Sequence, residues 1–203
     1  MKGMDWNRAD NLVKEYEVAS WDRCKVRETD EIQHLREALK QSPYNGQLWM
    51  KLGLALAKDS YMREAADCYS MAITCDPFQW EYYRHRAHRF LSCWRFQDAA
   101  ADFTIASRLN PDDWNVWYHL GLSFFLWSMS RFRGQQFALC GKTTESVRRN
   151  LLASVLPVLG GLGFQWEEQR GRNRLTVRYG RAENTYFLFG GMDEGSAALI
   201  QGI

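Results

Sequence analysis

Trp49-Met-Lys-Leu52-Gly53-Leu-Ala-Leu56, followed by Ala65-Ala-Asp-Cys-Tyr69, Ala72 and Asp76-Pro77, is the stretch on which the fold turns. Its large and small residues recur at three- and four-residue steps, so Trp49, Leu52 and Leu56 share one face of a helix. Gly53 leaves that face thin enough for a partner helix to come close. Ala65, Tyr69 and Ala72 repeat the logic on a second helix, and Pro77 stops it because proline has no N–H to donate to the next turn. The stretch predicts two antiparallel helices joined by a short turn.

The pattern recurs on both sides. Tyr83-x-x-Arg86-Ala87-x-x-Phe90 is followed by Ala99, Phe103, Ala106 and Asn110-Pro111. Trp117-x-x-Leu120-Gly121-x-x-Phe124 then opens a third copy with no second helix behind it. Upstream, Ile32, Leu35, Ala38, Leu39 and Pro43 fit the second helix of an earlier copy, preceded by an acidic-rich helix expected from about Asp5 to Ser20. Pro43, Pro77 and Pro111 lie 34 residues apart. One helix pair cannot bury its apolar face alone, so the copies must stack.

This order of Trp, Leu-Gly, Tyr, Ala, Phe, Ala and Pro resembles the tetratricopeptide repeat. It is nearly complete from Gly46 to Pro77, with Arg86 and Ala87 in place of the usual Leu and Gly one repeat later. The resemblance covers residues 1–128 as a domain, with its best repeats at 46–79 and 80–113 and a partial third from 114. It implies a superhelix of antiparallel helix pairs that binds a protein or peptide in a concave groove lined by the first helices. Here that groove would present Met50, Leu54, Arg84, His88, Tyr118 and Leu122. Repeats that clamp a terminal carboxylate use Lys and Asn on this surface; Met50 and Leu54 stand at two of those places. A mixed apolar and basic groove for a helix or extended peptide is implied instead. His85 and His88 have the step of a metal pair, but Arg84, Arg86 and Arg89 around them repel a cation and no third ligand is near in sequence. No metal and no cofactor is expected.

Bulk composition, 46% hydrophobic and 25% charged, excludes collagen-like, low-complexity and wholly disordered chains. It also hides a change at about residue 128. Trp166 is the one tryptophan beyond Ser128, while most glycines lie there. Lys+Arg number 16 against 18 Asp+Glu before the change and 10 against 6 after it, so the net +2 describes neither segment. The start lacks the apolar core of a secretory signal, and no apolar run reaches the ~20 residues of a membrane span. Cys24, Cys68, Cys75, Cys93 and Cys140 show no metal spacing and read as small buried or half-buried apolar residues. A cytoplasmic protein is expected.

The second segment, 132–203, reads as a small incomplete α/β piece, so the fold class is mainly α with an α/β appendage. Phe137-Ala-Leu-Cys140 predicts a strand, and Val147, Leu151, Leu152, Val155, Leu156 and Leu159 predict a helix with Arg148, Arg149 and Asn150 on its other side. Phe164–Trp166, Leu175–Tyr179 and Tyr186–Phe189 predict a β meander with polar turns at 169–173 and 180–184. Gly141-Lys142-Thr143 has the ending of a phosphate loop, but the glycine required five residues earlier is Gln136. A turn and helix cap is the reading that fits.

Phe137-Ala-Leu-Cys-Gly-Lys-Thr143, Ser146-Val-Arg-Arg-Asn150, Asn184-Thr-Tyr-Phe-Leu-Phe-Gly-Gly-Met-Asp-Glu-Gly-Ser196 and Ile200-Gln-Gly202 together resemble the ATPase domain of phage terminase large subunits. In that family this stretch lies between the nucleotide loop and the acidic strand that holds magnesium. Neither is assignable here, and Asp193 and Glu194 read as a turn. An inactive fragment, not an enzyme, is expected, with no catalytic residue. The alternative is a piece of a DNA-packaging terminase, or a fused or truncated reading frame. Arg170, Arg172, Arg174, Arg178 and Arg181 cluster around one predicted hairpin, where they serve either as solvated turn residues or as contacts to a nucleic-acid backbone.

Overall fold

The computed structural model describes residues 29–191. The helix expected before Ser20, Cys24, and the stretch holding Asp193, Glu194 and Ile200 lie outside the described residues. The helices are α1 (Asp30–Gln41), α2 (Gly46–Lys58), α3 (Met62–Cys75), α4 (Trp80–Ser92), α5 (Phe96–Leu109) and α6 (Trp114–Arg131). From α1 to α5 each packs against the next.

The 34-residue period of the sequence reappears in the hydrogen bonds. Trp49 Nε1 donates to the Pro43 carbonyl at 2.8 Å, Tyr83 Oη to that of Pro77 at 3.1 Å, and Trp117 Nε1 to that of Pro111 at 2.8 Å. The first signature aromatic of each repeat thus ties its helix to the proline that closes the repeat before. Inside a repeat the helix reverses through a left-handed residue, Ser60 (φ 69°) and then Trp94 (φ 61°). The N–H groups of Tyr61 and Arg95 reach back to the carbonyls of Leu56 and Phe90, each at 2.9 Å, which satisfies carbonyls that the helix end would leave bare.

Packing follows the large-against-small rule. A Cβ on Gly53 would lie 2.6 Å from the Tyr69 ring, so the close approach of α2 and α3 requires glycine there. One core holds Ile32, Leu39, Leu52, Leu56 and Tyr69. The next holds Tyr83, Ala87, Ala99, Phe103, Ala106 and Val116, with Leu120 against it.

The chain divides into two compact units between Ser123 and Phe124, inside α6. The composition change sits a turn later because Trp127, the last of the early tryptophans, packs with Phe124 and Phe132 in the second unit.

In the second unit β1 (Gln136–Gly141) is followed by α7 (Thr144–Val147), a π-helical turn (Arg148–Leu152), α8 (Ala153–Gly161), β2 (Gln165–Gln169), β3 (Arg174–Tyr179) and β4 (Ala182–Gly190). The sheet order is β1-β4-β3-β2, with β1 parallel to β4 and the other pairs antiparallel. Val147, Leu152, Val155, Leu156 and Leu159 from the helical segment and Leu175, Val177, Tyr186 and Leu188 from the sheet are buried.

Three expectations change. Cys140 is exposed, because β1 is an edge strand on which alternate residues face outward. The turn read at 180–184 shrinks to Gly180-Arg181: the β3–β4 register pairs Tyr179 with Ala182, and Gly180 (φ 56°) takes the positive φ that a two-residue hairpin needs. Arg148 leaves the solvent side. Its side chain is 13% exposed, and it donates to Glu168 at 2.6 Å and to Asn173 Oδ1 at 2.7 Å. A π turn shifts the helix phase, which a strict 3.6-residue period cannot register.

Candidate functional site

The six predicted groove residues fall on α2 (Met50, Leu54), α4 (Arg84, His88) and α6 (Tyr118, Leu122). Met50 packs against the first core, while Leu54 is 42% exposed. His88 and Tyr118 come together around His119. The His88 and His119 rings meet edge-on with centroids 4.4 Å apart, and Tyr118 stands edge-on to His119 at 4.7 Å. His119 Nδ1 lies 2.8 Å from the Asn115 carbonyl, and its ring stacks on Phe103. Leu122 is half-buried on the same helix.

Arg84 lies over the Trp80 ring, 4.9 Å from its centroid, and its Nη1 is 3.9 Å from Asp113. One repeat later the same four-residue step places Trp114 beside Tyr118, with centroids 6.4 Å apart. Trp114 is 72% exposed. Trp80 and Trp114 therefore extend the site by one turn at the start of each first helix. Their 34-residue spacing, four residues before Arg84 and Tyr118, was the signal available in the sequence.

The charge of the site is shaped by burial. Burial pushes His88 down to about 3, with His119, His85, Arg84 and Arg89 adding to the push. His85, against the Tyr69 ring, is pushed down to about 4 by burial and then by Arg84 and Arg89. His119 is also lowered, chiefly by burial, with the Asn115 carbonyl opposing. All three rings are neutral at pH 7. The unfolded chain takes up these protons near the ordinary histidine value of about 6.5 while the folded chain resists. Stability is therefore full above pH 6.5 and falls as pH drops toward 4. Thermal unfolding of the full chain should show that decline, and His88→Gln should flatten it; equal slopes for both proteins would contradict the burial argument.

Among the described residues no group of His, Cys, Asp and Glu could hold a metal ion, and no helix is long and apolar enough to cross a membrane. The five arginines of the second unit do not share one hairpin. Arg170 and Arg172 lie on the short helical turn between β2 and β3, and Arg181 on the hairpin at the other end of β3. Arg174 and Arg178 lie on β3 itself, Arg178 paired with Glu183 and Glu167. Arg170 pairs with Glu168 at 3.6 Å.

Stacked antiparallel helix pairs of 34 residues, with an aromatic and cationic face on successive first helices, define a helical-repeat protein. Residues 93–126 match the family model described as Tetratricopeptide repeat. Over 114 residues, 55% of this chain, the sequence is 27% identical to anaphase-promoting complex subunit 3 of Schizosaccharomyces pombe, of which it covers 17%. Among solved structures, the large terminase from a thermophilic bacteriophage is 34% identical, covering 45% of this chain and 23% of that one with a TM-score of 0.44. A MamA crystal structure is 16% identical, covering 59% of this chain and 62% of that one with a TM-score of 0.48. The chain thus spans less than a quarter of the length of both the curated relative and the terminase.

Proposed function

We propose that the first unit is a protein-interaction scaffold whose partner lies along α2, α4 and α6. The observation that supports this reading is the gathering of Trp80, Arg84, His88, Trp114 and Tyr118, among which Trp114 keeps 72% of its surface in solvent. An aromatic and an arginine held ready on rigid helices are the side chains that dominate protein-interface energetics. Co-purification tests it. Tyr118→Ala and Arg84→Glu, each checked for native circular dichroism, should lose the protein that the unaltered chain captures; retention by both would sink the groove.

For the second unit we propose a terminase-like piece that does not turn over ATP. The support is local. Thr143 caps α7 by accepting the Ser146 N–H at 3.0 Å, while Ser146 Oγ accepts the Thr143 N–H at 3.0 Å. Gly141-Lys142-Thr143 thus forms a capped strand-to-helix turn, which supports its reading as a turn and helix cap. The expected result is no DNA-stimulated ATP hydrolysis by the full chain. Measurable turnover that disappears in Lys142→Ala would overturn the reading.

A further inference from the structure

The three most exposed large apolar side chains among the described residues are Tyr44 (89%), Phe78 (78%) and Trp114 (72%). Each stands one or three residues beyond a repeat-closing proline, Pro43, Pro77 or Pro111. A single exposed aromatic is ordinary, but one at every turn between repeats is a patterned surface. The turns are pinned from within. Asn45 Oδ1 accepts the N–H groups of Gln47 and Leu48, Asp76 Oδ1 accepts that of Phe78 at 3.2 Å, and Asp113 Oδ1 accepts that of Asn115 at 2.9 Å. The rings are therefore displayed on ordered backbone, which lowers the entropy lost when a ligand settles on them.

Neighbouring turns also meet. An open cleft of about 640 Å³ is lined by Pro43, Tyr44, Asn45 and Gly46 of the first turn and by Asp76 and Tyr82 of the second. The second and third are joined through Arg84, which lies over the Trp80 ring and 3.9 Å from Asp113. Charge along this edge has one sign. Residues 42–50, 76–83 and 110–118 hold Asp76, Glu81, Asp112 and Asp113 and no lysine or arginine, whereas the turns inside the repeats mix Lys58, Asp59 and Arg95. Asp112 is exposed. Arg84 is the fold's own example of what such a surface holds: a guanidinium between an aromatic face and a carboxylate.

We infer that this edge docks a lysine- and arginine-rich segment of a partner protein, with its cations on the Tyr44, Phe78 and Trp114 rings and its charge answered by Asp76 and Asp112. The match is one of charge: an acidic, aromatic surface attracts a cationic chain and repels nucleic acid. The edge shares Trp114 with the proposed site above but does not rest on the groove reading, since Tyr44, Phe78 and Asp112 are not groove residues.

Selection of a phage-displayed library of random dodecapeptides on the full chain tests it, after depletion on an edge variant carrying Tyr44→Ser, Phe78→Ser and Asp112→Asn. All three positions are exposed, and native circular dichroism of the variant is the control. Enriched peptides should carry several lysines or arginines. By fluorescence anisotropy they should bind the unaltered chain about tenfold or more tighter than the edge variant, the combined effect of two cation–π contacts and one exposed ion pair. Changing their basic residues to glutamine should weaken binding by a similar factor and remove its salt dependence. Enrichment of acidic or uncharged peptides, no enrichment, or equal binding to both proteins overturns the inference. So does a chain that self-associates in sedimentation equilibrium and becomes monomeric in the edge variant, because a second copy then covers the edge. Peptides that resist the edge changes but are lost with Tyr118→Ala and Leu122→Ala overturn the edge and leave the groove standing; basic peptides lost at the edge and indifferent to those two changes uphold the edge alone.

Discussion

Asp102→Ala is expected to lower the stability of the first unit by about 3 kcal/mol, the cost of leaving a buried charge without its partner. Arg86 grips Asp102 with two parallel hydrogen bonds, Nε to Oδ2 at 2.7 Å and Nη2 to Oδ1 at 2.8 Å, and its Nη1 donates to Ser70 on α3 at 3.0 Å. The Asp102 side chain is only 6% exposed. The pair therefore links α3, α4 and α5 from within. Arg86 stands where the repeat pattern expects leucine, so Arg86→Leu combined with Asp102→Ala restores an apolar contact and should recover most of the loss, since a buried ion pair is often replaced by packed hydrophobics at little cost. Urea unfolding of the full chain followed by far-ultraviolet circular dichroism reads both results. A double variant as unstable as Asp102→Ala would mean that the ion pair specifies the packing itself.

The second large effect is expected at Asn184. This side chain is 1% exposed. Its Nδ2 donates to the carbonyls of Ser128 at 3.1 Å and Phe132 at 3.0 Å, while its Oδ1 accepts the Gln135 N–H at 3.0 Å. One amide thus satisfies the end of α6 and the turn that leads into β1. Tyr186, two residues on, adds a bond of 2.7 Å to Ser128 Oγ and packs on Phe125. Asn184→Leu preserves volume but strands the Phe132 carbonyl and the Gln135 N–H, the Ser128 carbonyl keeping the Phe132 N–H at 3.0 Å, and each buried group left unsatisfied costs about 1–3 kcal/mol. The second unit should lose roughly 3 kcal/mol or more on that count. Hydrogen exchange read by mass spectrometry should show lost protection across residues 132–141 and in β4, with α1 to α4 unchanged. Protection equal to the unaltered chain would mean that water replaces the amide.

Local features were legible because they depend on residues close in sequence. Gly53 against Tyr69, the prolines that close each repeat, the turn and cap at Gly141-Lys142-Thr143 and the apolar stripe from Val147 to Leu159 all follow from helical or strand periods and from what Gly and Pro permit. The candidate site was partly legible for the same reason: Arg84 and Tyr118 occupy equivalent places one repeat apart. Trp80 and Trp114 share that spacing but escaped it, since a tryptophan at a helix start reads equally as core. The neutral state of His85, His88 and His119 could not be read, because burial and neighbouring arginines on other turns set it.

By itself, the sequence determined the helix-pair repeat, its 34-residue period and the change to a glycine-rich α/β segment. These are properties of spacing along one chain, and spacing dictates which face of a helix or strand is apolar. Only the tertiary structure decided that Arg86 is held by Asp102, that Arg148 turns inward to Glu168 and Asn173, that β1 lies parallel beside β4, and that the unit boundary falls inside α6. The first two join polar groups 16 to 25 residues apart, and the strand pairing joins Gln136 to Thr185 across the whole helical segment and two strands. A buried polar group must find a partner wherever the fold brings one, and the identity of that partner is written in three-dimensional proximity rather than in local order.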